Sequence, residues 1–487
     1  MQMLKRIAIF AGLSVAILIV AAGAMYLAGV RIVLDGGGSP QLRFGRSADA
    51  QAEAIARHRA AQRQAQPASA TSTPASPLPA PPTADPAAAA PKPHADPSRA
   101  LAAYWTDFRG PTRDGHYRQQ EIRTTWPAEG LKPIWKQPVG GGYASFVAAN
   151  GVAFTIEQRA NEEVVAAYDI ATGREAWTNA WTGTFREMMG GDGPRATPTW
   201  HDGRLYALGA SGELRSLDAA TGRMLWRTNI LEDAGAANLQ WGMAAAPLIV
   251  DDSVIVLPGG SGGKSVVAYN RTTGRRAWSA LDDTAAYSSP MLVTLAGVRQ
   301  ILVFSASRLM GITPDRGAVL WEYPWTTQYG VNASQPLLLD ERRVFVSTGY
   351  GTGAAAIELT PSGDGGLTVK ELWRTNRMKN QFTSSVLHEG FIYGLDEAIL
   401  ACIDAATGEL KWKNGRYGYG QVMLASGHLI VLTESGEIAL VAATPERFTE
   451  IVRFPAIDGK TWNHPAIADG YLLVRNIGEM AAFDLRR

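Results

Sequence analysis

The chain opens on an uninterrupted apolar run and then changes character three times. Residues 7–30 carry no charge, and about 24 such residues are enough to cross a bilayer. Ala22, Gly23 and Ala24 would suit a leader-peptide cut. The run continues past them to Val30, longer than most leaders, so it predicts an uncleaved transmembrane helix, with Lys5 and Arg6 favouring an inward N-terminus. Residues 31–44 alternate around Gly36, Gly37 and Gly38 and predict a small hairpin. Residues 47–66 are rich in Ala, Gln and Arg and predict a short polar helix. From 67 to 97 the chain is almost all Pro, Ala, Ser and Thr, with too little apolar bulk to fold. Extended, it would reach on the order of 90–100 Å, and it reads as a stalk.

Folded sequence restarts near Tyr104. Beyond residue 130 short alternating runs are separated by Asp-Gly-type turns, as at Asp202-Gly203 and Asp469-Gly470, and no helical period appears. One stretch recurs. Residues 218–226 read DAATGRMLW, with copies at 169–177, 270–278 and 404–412. Weaker copies lie at 313–321 and at 358–373, the latter with an insertion around Gly363, Gly365 and Gly366. In each, the Asp or Asn can bond its own turn, the Gly takes positive φ, and the Trp sits on the returning strand. A period of about 40–50 residues marks a solenoid, propeller or array.

The turns fall at Asp169, Asp218, Asn270, Thr313, Glu358, Asp404, Ala443 and Asp484. The outer-strand aromatics are Trp135, Trp177, Trp226, Trp278, Trp321, Trp373, Trp412 and Phe454, offset from the turns by one. A closed ring absorbs the offset if the strand around Trp135 completes a last blade whose other strands come from 463–485. The expectation is an all-β, eight-bladed β-propeller with tryptophan-docking repeats over 101–487. Before it come a tail and transmembrane helix over 1–30, a juxtamembrane segment over 31–66 and a Pro/Ala-rich linker over 67–100.

Composition excludes more than it assigns. A net charge of +1 implies no bulk attraction to nucleic acid. The one cysteine, Cys402, lies in an apolar run, so no disulfide forms within the chain, and no Cys follows the first apolar run to accept a lipid. Residues 258–265 miss a P-loop, because Pro258 replaces its first Gly and strand follows instead of helix. His201, His388 and His428 fall in turns, which disfavours them as metal ligands.

Candidate site residues come from alignment. In a propeller, the loops leading into the innermost strands share one face with the loops between second and third strands. Aligning the eight lead-in loops puts Tyr143, Arg195, Ala244, Tyr287, Ala333, Phe382, Tyr419 and Trp462 in register as a ring at the channel mouth. The two long lead-in loops add Glu187 and Trp241, and the second-to-third-strand loops add Lys264 and Tyr350. Asn332, Asn380 and His464 sit where chains enter the inner strands and offer hydrogen bonds.

The repeat A/S-x-D/N-x-x-T-G-x-x-x-W, at 167–177 and 216–226, resembles the tryptophan-docking motif of the quinoprotein (PQQ-type) propellers. The same fold occurs in the BamB-type outer-membrane assembly factors, which use it as a protein-binding scaffold without cofactor. The resemblance covers about 104–487, and 105–115 is also similar to a group of PQQ-like propeller proteins. It implies either of two functions. One is a periplasmic scaffold binding envelope proteins, which the apolar run 7–30 would hold on a single inner-membrane helix and the net charge would keep from nucleic acid. The other is a PQQ- and Ca²⁺-dependent oxidoreductase of alcohols or sugars. The adjacent cysteines common in those enzymes are absent here, which favours the scaffold.

Overall fold

The structure, a computed structural model, describes residues 29–44, 47–64, 104–187, 189–363 and 366–487, with Val20 and 23–25. The run expected to cross a membrane lies almost wholly outside these residues, as does the linker 67–100. Among the described residues no helix is long and apolar enough to cross a membrane.

Eight antiparallel blades form the body. In blade 1, Val147–Ala149, Val152–Arg159, Glu162–Asp169 and Glu175–Thr182 pair in chain order. Blades 2 to 8 begin at Thr199–His201, Leu248–Val250, Met291–Leu295, Leu337–Leu338, Val386–His388, Gln421–Ala425 and Ala466–Ala468. The middle strands are buried on both faces, between neighbouring blades, while the outer strand Glu175–Thr182 alternates toward solvent. The ring closes as the offset predicted: Glu479–Asp484 pairs with Trp135–Pro138, Ala482 opposite Trp135.

The repeat motif turns out to join blades. Asp218 Oδ1 accepts from the Ala220 and Thr221 main-chain N–H groups and the Thr221 hydroxyl, which shapes the turn. The indole of the preceding blade then docks on that turn, Trp177 Nε1 donating to Ala219 O at 3.1 Å. Trp135, Trp226, Trp373 and Trp412 donate likewise to Ile170, Arg271, Ala405 and Thr444. The insertion-bearing copy explains an exception. Ser362 stands where most other turns place their docking glycine, and Trp321 instead donates to Gln300 Oε1 within its own blade at 2.5 Å.

Residues 104–117 enter the central channel. Ala148 N donates to Trp105 O, Trp200 N to Thr106 O and Leu424 N to Gly115 O. His116–Tyr117 adds a parallel fifth strand to blade 7. Arg109 donates to Ser384 O and Ser385 O, and Arg113 to Ala246 O, Pro247 O and Pro290 O. Two buried guanidiniums thus tie blades 3, 4 and 6 together from the axis.

The expected hairpin and helix are present: Val30–Leu34 pairs with Pro40–Phe44, and a helix spans Ala48–Gln64. Both rest on the propeller. Gln51 donates to Val139 O and Gly478 O, and Arg59, 3% exposed, donates to Gln137 Oε1 and Pro138 O and pairs with Glu175. This is the seam where blade 8 meets blade 1. The helix Ala48–Gln64 thus lies against the propeller.

Candidate functional site

The aromatic ring forms on one rim, and more tightly on one side. The Tyr143 and Trp462 rings stack at 5.2 Å, Trp462 lies 4.5 Å from Phe382, and Phe382 lies 5.8 Å from Tyr419. Residues 183–187 and 189–195 fold against this row. Tyr143 Oη donates to Gly190 O, Glu187 accepts from Met189 N and Gly190 N, and Arg195 donates to Gly191 O and Gly193 O. A side chain at Gly190 would meet Glu187, Arg195 and Trp241 together. Burial pushes the Tyr143 hydroxyl up and the Arg195 guanidinium down from their ordinary values. Arg195 lies 4.5 Å over the Phe185 ring and 5.6 Å over Tyr143. Its two terminal nitrogens each donate to a carbonyl of that loop, which holds the loop against the row.

The second arc is looser. Trp241 and Tyr287 meet at 5.7 Å, and burial pushes the Tyr287 hydroxyl up to about 12. Tyr350, at φ 56, faces the exposed Tyr329 edge-on. Lys264 closes its own loop by main-chain pairing with Gly260.

Three expected contributors lie beneath the rim. Asn332 donates to Ser305 O and accepts from the Thr348 hydroxyl. Asn380 donates to Leu395 O and accepts from the Ser385 hydroxyl. The His464 ring nitrogens face Pro465 O and Val422 O. All three are buried, and these contacts brace the lead-in chains.

Two rim residues escape the alignment. Glu434 Oε1 accepts from Trp462 Nε1 at 2.9 Å, and its Oε2 accepts from Tyr419 N at 3.1 Å. Glu434 sits in a second-to-third-strand loop, the loop class that nominated Lys264 and Tyr350, so its position was available as a signal. Lys460 Nζ lies 3.8 Å from the Trp462 ring centre and donates to Met189 O. Lys460, rather than Lys264, is the lysine of the rim.

The hairpin tip reaches this same place. Gly36 N donates to Glu434 Oε1 at 2.7 Å, Gln381 Nε2 donates to Gly36 O at 2.8 Å, and Lys460 Nζ donates to Leu34 O at 3.3 Å.

Calcium and a quinone would need oxygen ligands gathered at one point. Among the described residues no three His, Cys, Asp or Glu side chains converge to hold a metal. The Glu434 and Glu187 carboxylates accept main-chain and indole N–H groups instead. Cys402 is buried with its thiol pushed up to about 12 by desolvation.

Eight blades joined by docked tryptophans, with residues 104–117 along the axis, define a PQQ-like, BamB-type β-propeller. Residues 160–414 match the family model described as outer membrane protein assembly factor BamB, and the chain belongs to that family. It is 23% identical over 221 residues to the outer membrane protein assembly factor BamB of Bordetella pertussis, covering 45% of this chain and 52% of that protein. The chain thus spans about half the length of this curated relative. Among solved structures, BamB from Moraxella catarrhalis superposes with a TM-score of 0.52 at 14% identity, covering 73% of this chain and 99% of that one. A europium-containing methanol dehydrogenase gives 0.59 at 13% identity, covering 79% and 98%. The quinohemoprotein alcohol dehydrogenase of Comamonas testosteroni gives 0.56 at 13%, covering 78% and 80%. These structural likenesses show the shared fold.

Proposed function

We propose that the chain is a membrane-tethered, extracytoplasmic propeller that acts as a binding or scaffold module in the cell envelope. On this reading the apolar run 7–30 is a single inner-membrane helix and the propeller lies in the periplasm. The observation that carries the reading is the rim. Tyr143, Trp462, Phe382 and Tyr419 form one half-buried aromatic row, crossed by Lys460 and flanked by Arg195. Aromatic and cationic side chains of this kind anchor protein partners. Membership of the BamB family supports the same conclusion.

The test places a photocrosslinking residue at Phe382 on the rim, or at Gln120 near the opposite end of the blades, in cells. Envelope proteins should crosslink from Phe382 and not from Gln120, and Trp462→Ala should weaken that capture without lowering Tm much. Calcium-dependent uptake of PQQ with substrate-driven dye reduction would overturn the reading in favour of an alcohol or sugar oxidoreductase.

A further inference from the structure

The turn 35–39 touches the rim almost entirely through main chain. Its N–H at Gly36 meets the Glu434 carboxylate, and its carbonyls at Leu34 and Gly36 meet Lys460 and Gln381. The Tyr419 ring covers the turn so closely that a Cβ on Gly36 would stand 2.3 Å from Tyr419 Cγ. At Gly38, by contrast, a Cβ would meet nothing. Asp35 shapes the turn from within, its Oδ1 accepting from Gly37 N and Ser39 N. The rim therefore reads main-chain polarity plus the absence of one side chain.

Among the described residues, the hairpin's two strands form a two-stranded sheet that joins no blade. A lone two-stranded hairpin is marginal in water. Ile32 and Leu42 remain 73% and 68% exposed. The helix that follows is anchored separately by the buried Arg59, so the turn can leave while its tether stays. When it leaves, Glu434 keeps the Trp462 and Tyr419 donors, so the buried carboxylate retains hydrogen bonds.

We infer that the rim formed by Tyr419, Glu434, Gln381, Lys460 and Trp462 is a receptor for a glycine-containing β-turn of a partner protein, and that this chain's own turn 35–39 occupies it in cis. The inference rests on the scaffold reading above and specifies its partner chemistry: a tight turn offering one N–H and two carbonyls, with glycine where Tyr419 closes. Partner binding is then an exchange. A tethered occupant acts at an effective concentration near millimolar, so the site is shut against weak competitors.

The experiment uses the full-length protein in detergent and a fluorescent, cyclised peptide of residues 30–44 as probe. Gly36→Val in the protein collides with Tyr419 and should expel the cis turn. That variant should bind the probe at least about tenfold tighter than the wild type. Gly38→Asn, with open space and a residue tolerant of positive φ, should leave affinity at the wild-type level. A probe carrying valine at position 36 should not bind. Asp35→Ala, which loosens the turn without touching the rim, should raise probe affinity in the same direction if Gly36→Val does not fold. Equal probe affinity in wild type, Gly36→Val and Asp35→Ala overturns the inference, as does equal binding of the valine probe. Failure of the scaffold reading looks different: the glycine probe binds the opened rim selectively, supporting the receptor site, while Phe382 crosslinks no envelope protein in cells.

Discussion

The indole of Trp177 lies against Gly222 of the next blade, so that a Cβ on that glycine would stand 2.4 Å from the ring. The same glycine holds φ at 73° to turn the chain. One residue thus meets two demands, and they can be separated. Gly203 shares the backbone conformation, at φ 74, with nothing near its Cβ position. Gly203→Ala should cost about 1–2 kcal/mol from backbone strain alone. Gly222→Ala should cost roughly 1–3 kcal/mol more, because the docked tryptophan must move. Chemical denaturation of both variants measures the difference, and equal losses would mean that docking contributes nothing.

Ring closure joins chain segments more than 340 residues apart, Ala482 opposite Trp135. Deleting 479–487 removes the strand between Tyr471–Arg475 and Trp135–Pro138 and leaves unpaired edges. The truncated protein should aggregate or melt well below the full-length chain in a thermal scan. Unchanged melting would contradict closure through this strand.

Acidification should destabilise the propeller in two stages. Burial, with Arg109 adding to it, holds His464 down to about 3, against the pull of the Pro465 and Val422 carbonyls. The unfolded histidine titrates near about 6.5, so between these values only the unfolded chain takes the proton. Stability therefore falls as pH drops below about 6.5, by up to about 1.4 kcal/mol per unit. Glu157 adds a later stage. Burial raises its carboxyl, but Arg159, Arg475 and Arg59 outweigh that and hold it below its ordinary value. Its contribution is present above about 4.3 and is lost as pH falls through the folded value. Tm against pH should show both stages, and His464→Gln should shallow the first without abolishing it, since burial also holds His116 down to about 4.

Cutting the linker should not free the propeller. With a protease site introduced between 67 and 100, the cleaved N-terminal piece should stay bound through Gln51 and Arg59. Arg59→Ala removes charge-assisted hydrogen bonds of about 2 kcal/mol and should speed release more than about tenfold. Gel filtration after cleavage reads the outcome. Immediate release from the unsubstituted protein would show that the segment does not dock.

Local signals are strongest where the physics is local. Turn chemistry at Asp169, Asp218, Asn270 and Asp404, alternation in the strands and the offset of Trp135 from Asp484 specified the blades, their number and their closure. The same alignment put Tyr143, Phe382, Tyr419 and Trp462 on one rim, because propeller symmetry converts register in the chain into position in space. Symmetry says nothing about which polar groups face outward. Asn332, Asn380 and His464 lie in the lead-in loops but turn inward to bond carbonyls, and Arg195 turns onto its own loop.

What only the tertiary structure decided are the contacts between chain segments with no common period. The hairpin and the helix are legible from residues 31–66, yet nothing in their composition tells that Gly36 meets Glu434, 398 positions away, or that Arg59 locks onto Gln137. Nor does it tell that Arg109 and Arg113 fill the axis. Such contacts depend on shape and on burying one charge against particular carbonyls, properties of the assembled surface rather than of any stretch of sequence.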